Sequence, residues 1–127
     1  MQIEINKVKY ELYFGFDFID FINTSGLSIQ GVQLGVGGMQ FLTLGITQKS
    51  PSTLRLIIKA ATVTLSNKPS DEDITKYIED LLMNDFYEDQ FDEIIEELGK
   101  HVLVLREMGI TKKELEKSQA LTKQNQN

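Results

Sequence analysis

Cysteine is absent from this 127-residue chain, which excludes a disulfide framework and a thiolate metal site and makes a reducing cytoplasm the expected setting. Histidine occurs once, at His101, so a triad or a histidine-rich metal site has no second imidazole to draw on. No apolar run approaches the roughly 20 residues that cross a bilayer; the longest are stretches such as Val102-Leu103-Val104-Leu105. The opening MQIEINKVKY alternates polar and apolar residues and lacks the basic patch and continuous apolar run of a signal peptide, so export is not expected. Neither a fixed-period repeat nor a proline-rich or serine-rich linker divides the chain.

Missing motifs are equally restrictive. Gly31, Gly35, Gly37 and Gly38 invite a nucleotide-loop reading, but a dinucleotide pattern starting at Gly35 needs glycine where Gln40 stands, and no glycine is followed by Lys and Ser/Thr. The glycines therefore read as conformational, permitting tight turns. The segment from Asp85 to Glu97 lacks the alternating oxygen ligands and central glycine of a calcium loop. No cofactor, metal or catalytic residue is expected, and His101 reads as a helix residue on the flank of an apolar stripe.

What is present is a core-forming composition, 41% hydrophobic and 25% charged, enough for one soluble domain. The net charge of −6 is unevenly placed. Residues 71–99 hold twelve carboxylates against Lys76 alone, while the segments on either side are net basic. Such a block repels phosphate backbones, so nucleic-acid binding is not expected.

Ile3 and Ile5, a turn at Asn6-Lys7, and then Val8, Tyr10, Leu12 and Phe14 in alternation predict a β-hairpin. Phe14, Phe18, Phe21 and Ile22 at helical spacing predict a short helix stopped by Asn23-Thr24-Ser25-Gly26. Residues 27–38 read as a glycine-rich loop with one short extended segment. Met39, Leu42 and Ile46 mark a helix ending near Gln48. Ser50-Pro51 starts the next, with Leu54, Ile57, Ile58, Ala61 and Leu65 on its apolar face and Asn67-Lys68-Pro69 at its end. Ser70 and Asp73 cap a further helix with the stripe Ile74, Tyr77, Ile78, Leu81 and Leu82. Beyond a break at Asn84-Asp85, Phe91, Ile94, Ile95, Leu98, Val102 and Leu105 predict one long helix containing Gly99. Gly109 suits its C-terminal cap. Thr111 with Glu114, and Ile110 with Leu115, announce a last short helix, fraying after Leu121.

The expected fold is α+β and predominantly α-helical: an N-terminal β-hairpin followed by about five helices. Residues 1–109 are expected to form a single globular domain and 110–127 a short C-terminal helix with a frayed polar tail. That last helix could dock on its own core or on a neighbouring subunit.

Asp85, Asp89, Asp92, Glu93, Glu96 and Glu97 fall mostly opposite the apolar stripe, as a solvated face does or as a docking surface for a basic partner does. Phe86 and Tyr87 sit beside the break, where aromatics either plug the core or anchor an interface. The candidate partner-binding residues are thus Phe86, Tyr87, Asp89, Asp92, Glu93, Glu96 and Leu115.

Three stretches carry a resemblance: Val8-Lys-Tyr-Glu-Leu-Tyr-Phe-Gly-Phe-Asp-Phe-Ile, then Gly37-Gly38-Met39, then Ser50-Pro-Ser-Thr-Leu-Arg-Leu-Ile-Ile-Lys-Ala-Ala. A fourth is Lys68-Pro-Ser-Asp-Glu-Asp-Ile-Thr-Lys-Tyr-Ile-Glu with the acidic helix after it. In this order the chain resembles the tail assembly chaperones of siphophages and prophages of low-GC Gram-positive bacteria, over roughly residues 3–105. The resemblance implies a non-enzymatic protein of the host cytoplasm, absent from the mature virion, that coats the tape measure protein and recruits tail tube subunits. It also implies a longer frameshifted form, and it carries no catalytic residue to this chain. Self-association is expected, because coating a long partner favours subunits that add head to tail. The rival reading from the acidic block is an inhibitor or DNA mimic that binds a basic host enzyme.

Overall fold

The computed structural model describes residues 1–25, 28–29, 32–33 and 38–124. Strands β1 (Gln2–Ile5) and β2 (Val8–Glu11) pair antiparallel, Ile3 opposite Tyr10 and Ile5 opposite Val8. The two turn residues, Asn6 (φ 52°) and Lys7 (φ 66°), are both left-handed, the backbone of the tight turn whose twist matches the strands. Ile3, Ile5, Tyr10 and Leu12 point into the core, and the alternation continues to Phe14.

Helix α1 (Phe16–Ser25) buries Phe18, Ile19 and Ile22. It runs on through Asn23-Thr24-Ser25, because Thr24 Oγ1 donates back to the Asp20 carbonyl at 2.8 Å and serves the helix from within. Two-residue strands β3 (Ser28–Ile29) and β4 (Val32–Gln33) pair antiparallel. Apart from Gly38, the rest of the glycine-rich loop expected at 27–38 lies outside the described residues. A 3₁₀ turn (Gly38–Phe41) leads into α2 (Leu42–Thr47), and Asn23 Oδ1 accepts from the Met39 N–H at 3.0 Å, tying that turn to α1.

Helix α3 (Pro51–Ala61) begins as expected, with Ser50 capping the Thr53 N–H and Pro51 in the first turn. It ends earlier than its apolar face suggests. Thr62 Oγ1 donates to the carbonyls of Ile58 and Lys59, and the Ala61 carbonyl accepts from the Tyr13 N–H at 2.9 Å. The last turn is thereby committed to the hairpin, and Leu65 packs against the core from outside the helix. With Leu54, Ile57 and Ile58 fully buried, α3 is the central element, touching α1, α2 and α4.

Helix α4 (Asp71–Met83) is capped by Ser70, whose Oγ accepts from the Asp73 N–H at 3.0 Å. Ile74 and Ile78 are buried, whereas Leu82 is exposed rather than part of the inward stripe. The expected break follows, with Asp85 left-handed (φ 60°). The single long helix expected next is two: α5 (Tyr87–Leu98) and α6 (Val102–Met108). The N–H groups of Gly99, Lys100 and His101 close back onto Ile95, Glu97 and Leu98, and His101 is extended (φ −101°, ψ 98°). The helical count restarts there, which turns Val102 out to solvent. Helix α6 ends on left-handed Gly109.

Helix α7 (Lys112–Gln124) starts at Thr111, whose Oγ1 accepts from the Glu114 N–H and donates to its carboxylate, both at 3.2 Å. It is longer than expected, helical to Gln124. It packs on α2, and Leu115 sits in the common core against Gly99, where an added Cβ would lie 3.0 Å from a Leu115 methyl. Among the described residues no helix is long and apolar enough to cross a membrane.

Candidate partner-binding surfaces

The sequence candidates divide between interior and surface. Tyr87 is buried, its hydroxyl donating to the Lys49 carbonyl at 2.6 Å; removal from water, then the neighbouring Glu88, holds that hydroxyl protonated well beyond its ordinary range. Leu115 is buried as well. Both belong to the core, which leaves Phe86 as the aromatic that reaches outside, 63% exposed. Asp89, Glu93 and Glu96 are exposed along α5, while Asp92 is half-buried in an ion pair. The chain does not gather the seven into one patch.

The ion pair has no sequence signature. Lys49 links α2 to α3 in a left-handed conformation (φ 50°) with its side chain nearly sealed. Its Nζ lies 2.8 Å from Glu88 and 3.2 Å from Asp92, both on α5. Burial disfavours the ammonium, but hydrogen bonds and attraction from these two carboxylates outweigh it and keep Lys49 protonated beyond its ordinary range. Part of the acidic block is therefore an internal brace. Asp71 likewise pairs with Lys59 at 2.9 Å and Glu97 with Lys100 at 3.1 Å, the latter contact holding the Glu97 carboxyl below its usual range.

His101 packs its ring 5.3 Å from Phe14, half-buried where α6 begins. Among the described residues no group of three or more acidic or imidazole side chains is placed to hold a metal.

Two further surfaces stand out. Between α2 and α3 runs an open groove of about 540 Å³ lined by Phe21, Phe41, Leu44 and Leu56, with Arg55 and Lys59 on its α3 wall. Gly45 makes it possible to close α2 onto α3, since any Cβ there would overlap the Thr53 side chain. On the other flank of α3 a smaller groove of about 220 Å³ shares Ser52 and Arg55 and is walled by Ile78, Glu79 and Leu82 of α4. The second surface is the α4–α5 corner, where Leu82, Met83 (81% exposed) and Phe86 stand out of the fold. The sequence singles out Phe86, but periodicity counts Leu82 as core, because apolar side chains at helical spacing are counted as core until the helix is seen to end.

A model of the family described as phage tail assembly chaperone protein, TAC, matches residues 2–122. The chain belongs to that family. The matched span of this tail assembly chaperone runs from β1 into α7, so the Lys49 brace, both grooves and the corner all lie within the family's part of the molecule. No match was found among curated proteins or among solved structures.

Proposed function

We propose that this tail assembly chaperone acts without catalysis, binding the tape measure protein and recruiting tail tube subunits in the cytoplasm of a Gram-positive host, without remaining in the virion. Family membership over residues 2–122 carries the reading. The surface is consistent with it: a tape measure protein is long and helical, and open apolar grooves seat the apolar stripe of a helix. Phe41, Leu44, Met83 and Phe86 give this chain exposed apolar area in separate places, as weak repeated contacts along a partner require. Phe86, with Asp89, Glu93 and Glu96 beside it on α5, is the outward remainder of the sequence-derived site and belongs to the partner-facing surface in this proposal. In the same proposal residues 1–109 are the domain and α7 is an appendage docked on it through Leu115. The acidic-inhibitor reading is weakened because Asp71, Glu88, Asp92 and Glu97 already answer cations of this chain.

Co-expression with the tape measure protein encoded beside this chain, purified through a tag on either partner, tests the proposal. The expected result is a soluble complex with several copies of the chaperone that persists at about 0.5 M salt, where charge attraction is screened beyond ~4 Å. A tape measure protein that aggregates equally with and without the chain would overturn it, as would a complex with a basic host enzyme that dissolves in the same salt.

A further inference from the structure

Helix α3 presents two faces at helical spacing. Leu54, Ile57, Ile58 and Ala61 enter the core, whereas Ser52, Arg55, Leu56 and Lys59, at the same i, i+3, i+4, i+7 positions, line the larger groove. The facing wall repeats that spacing with Phe41, Leu44, Gly45 and Gln48, from the 3₁₀ turn through α2. Phe41 and Leu44 are 45% and 62% exposed there. Two helical walls so arranged form a seat for a third helix. Among the described residues no strand residue lines the groove, so an extended peptide finds no sheet edge to pair with.

The charge of the groove has one sign. From Phe21 to Ser70 the chain contains no carboxylate, and the charged side chains among the described lining residues are Arg55 and Lys59. Arg55 is exposed and makes no hydrogen bond or ion pair among the described residues. Glu79 lines the smaller groove that Arg55 also walls, without pairing with it. Lys59 meets Asp71, which is 72% exposed, and such a surface pair gives way at little cost. The N-terminus of α3, at the Ser50 end of the groove, adds partial positive charge. In a chain of net charge −6 the groove is a cationic strip.

We propose that this groove seats an amphipathic helix of the partner whose apolar stripe is flanked by carboxylates. Its apolar side chains enter between Phe41, Leu44 and Leu56, and its acidic flank lies along Arg55 and Lys59. Burial supplies most of the affinity, while the charges set orientation and turn away a basic flank, which no carboxylate in the groove answers. The inference rests on the proposed function in taking that helix from the tape measure protein, and it narrows the contact to acidic, apolar-striped segments.

The test is titration of the purified chain into labelled synthetic peptides, followed by fluorescence anisotropy. One peptide of about 18 residues, long enough to be partly helical, carries leucines at the groove spacing flanked by glutamates; a second has the same composition with the leucines scrambled off the stripe. An acidic peptide has no general attraction to a net-negative chain, so its binding reports the groove. The expected result is saturation by the striped peptide below about 1 mM, and binding at least about tenfold weaker for the scrambled one, for Leu44→Glu and for Arg55→Glu. Arg55→Lys should stay within about threefold of wild type. Lys113→Glu makes the same change of net charge at an exposed position outside the groove lining, and should bind as wild type does. Arg55 and Leu44 are exposed, so their variants are expected to keep the wild-type circular dichroism spectrum and melting profile. No saturation, equal binding of the scrambled peptide, indifference to either groove substitution, or an equal loss in Lys113→Glu would overturn the proposal. Sedimentation showing a wild-type dimer that both groove variants abolish would give the groove to a second copy and overturn it too. Co-expression with the tape measure protein separates the two readings. Groove variants that solubilise it as well as wild type does would remove its helix from this groove and leave the chaperone standing, whereas a wild type that binds the striped peptide but fails to solubilise the tape measure protein would overturn the proposed function instead.

Discussion

Lys49 shows how one side chain can govern stability from a position without any motif. It joins α2 to α3 while its ammonium is held by Glu88 and Asp92 and its carbonyl by Tyr87. Removing a sealed cation leaves two carboxylates facing each other, but Glu88 is about half exposed and water can reach it. Lys49→Met is therefore expected to lose about 1–3 kcal/mol, less than the rupture of a fully buried pair. Tyr87→Phe strands the Lys49 carbonyl and should lose about 1–2 kcal/mol; urea denaturation checks both. The same contacts set the response to alkali. Burial first, then Glu93, raises the Tyr77 pKa to about 12, and Tyr87 and Lys49 are displaced upward too. In each case folding favours the protonated form, so this stability is complete below about pH 10 and is lost as pH rises through the folded values. Urea midpoints should fall between about pH 10 and 12, with Tyr77 and Tyr87 ionising late by ultraviolet absorbance. Ionisation of Tyr77 and Tyr87 at the ordinary tyrosine pKa would refute the assignment.

The helix starts were legible at the scale of the element because a cap is local. Ser50, Ser70 and Thr111 each accept from an N–H three residues on, a relation visible in any short window. The ends were less legible, being decided by distant residues. Helix α3 stops where Tyr13 takes the Ala61 carbonyl, and α5 stops at a glycine pressed by Leu115 from α7. For the same reason periodicity places Val102 and Leu82 on apolar stripes they do not join. The acidic face of α5 is legible in the same local way as the caps, but Lys49, whose contacts lie about 40 residues away, has no local sign. Two glycines give element-scale tests. Gly45→Ala would force α2 off Thr53 and is expected to destabilise by about 1–3 kcal/mol through overpacking. It should also alter partner binding, because α2 is a groove wall. Gly109→Ala meets no atom but occupies φ +77°, and should lose about 1–2 kcal/mol from backbone strain alone; thermal melts of the two, with binding measured in parallel, distinguish these causes.

For the whole molecule, the distribution of the core decides what can be removed. Every buried core residue among those described precedes Gly109 except Leu115. A chain ending at Gly109 is therefore expected to fold, with the same hairpin and α1–α6. Its loss should resemble deletion of one core leucine, about 2–4 kcal/mol, and Leu115→Ala in the full chain should approach the same figure. Chemical denaturation of both checks this, and failure of the shortened chain to fold cooperatively would show that α7 is integral to the domain.

The Lys49 brace carries a last consequence, for how such a chain can drift. Glu88 and Asp92 look like two more members of a solvated acidic row, replaceable one at a time. Tied to Lys49 across the fold, they are not. Once homologous sequences are aligned, positions 49, 88 and 92 should change together, lysine yielding to an apolar residue only where the two acids have also gone, while Asp89, Glu93 and Glu96 wander freely. Independent variation at position 49 would mean that the brace is incidental to the family's fold.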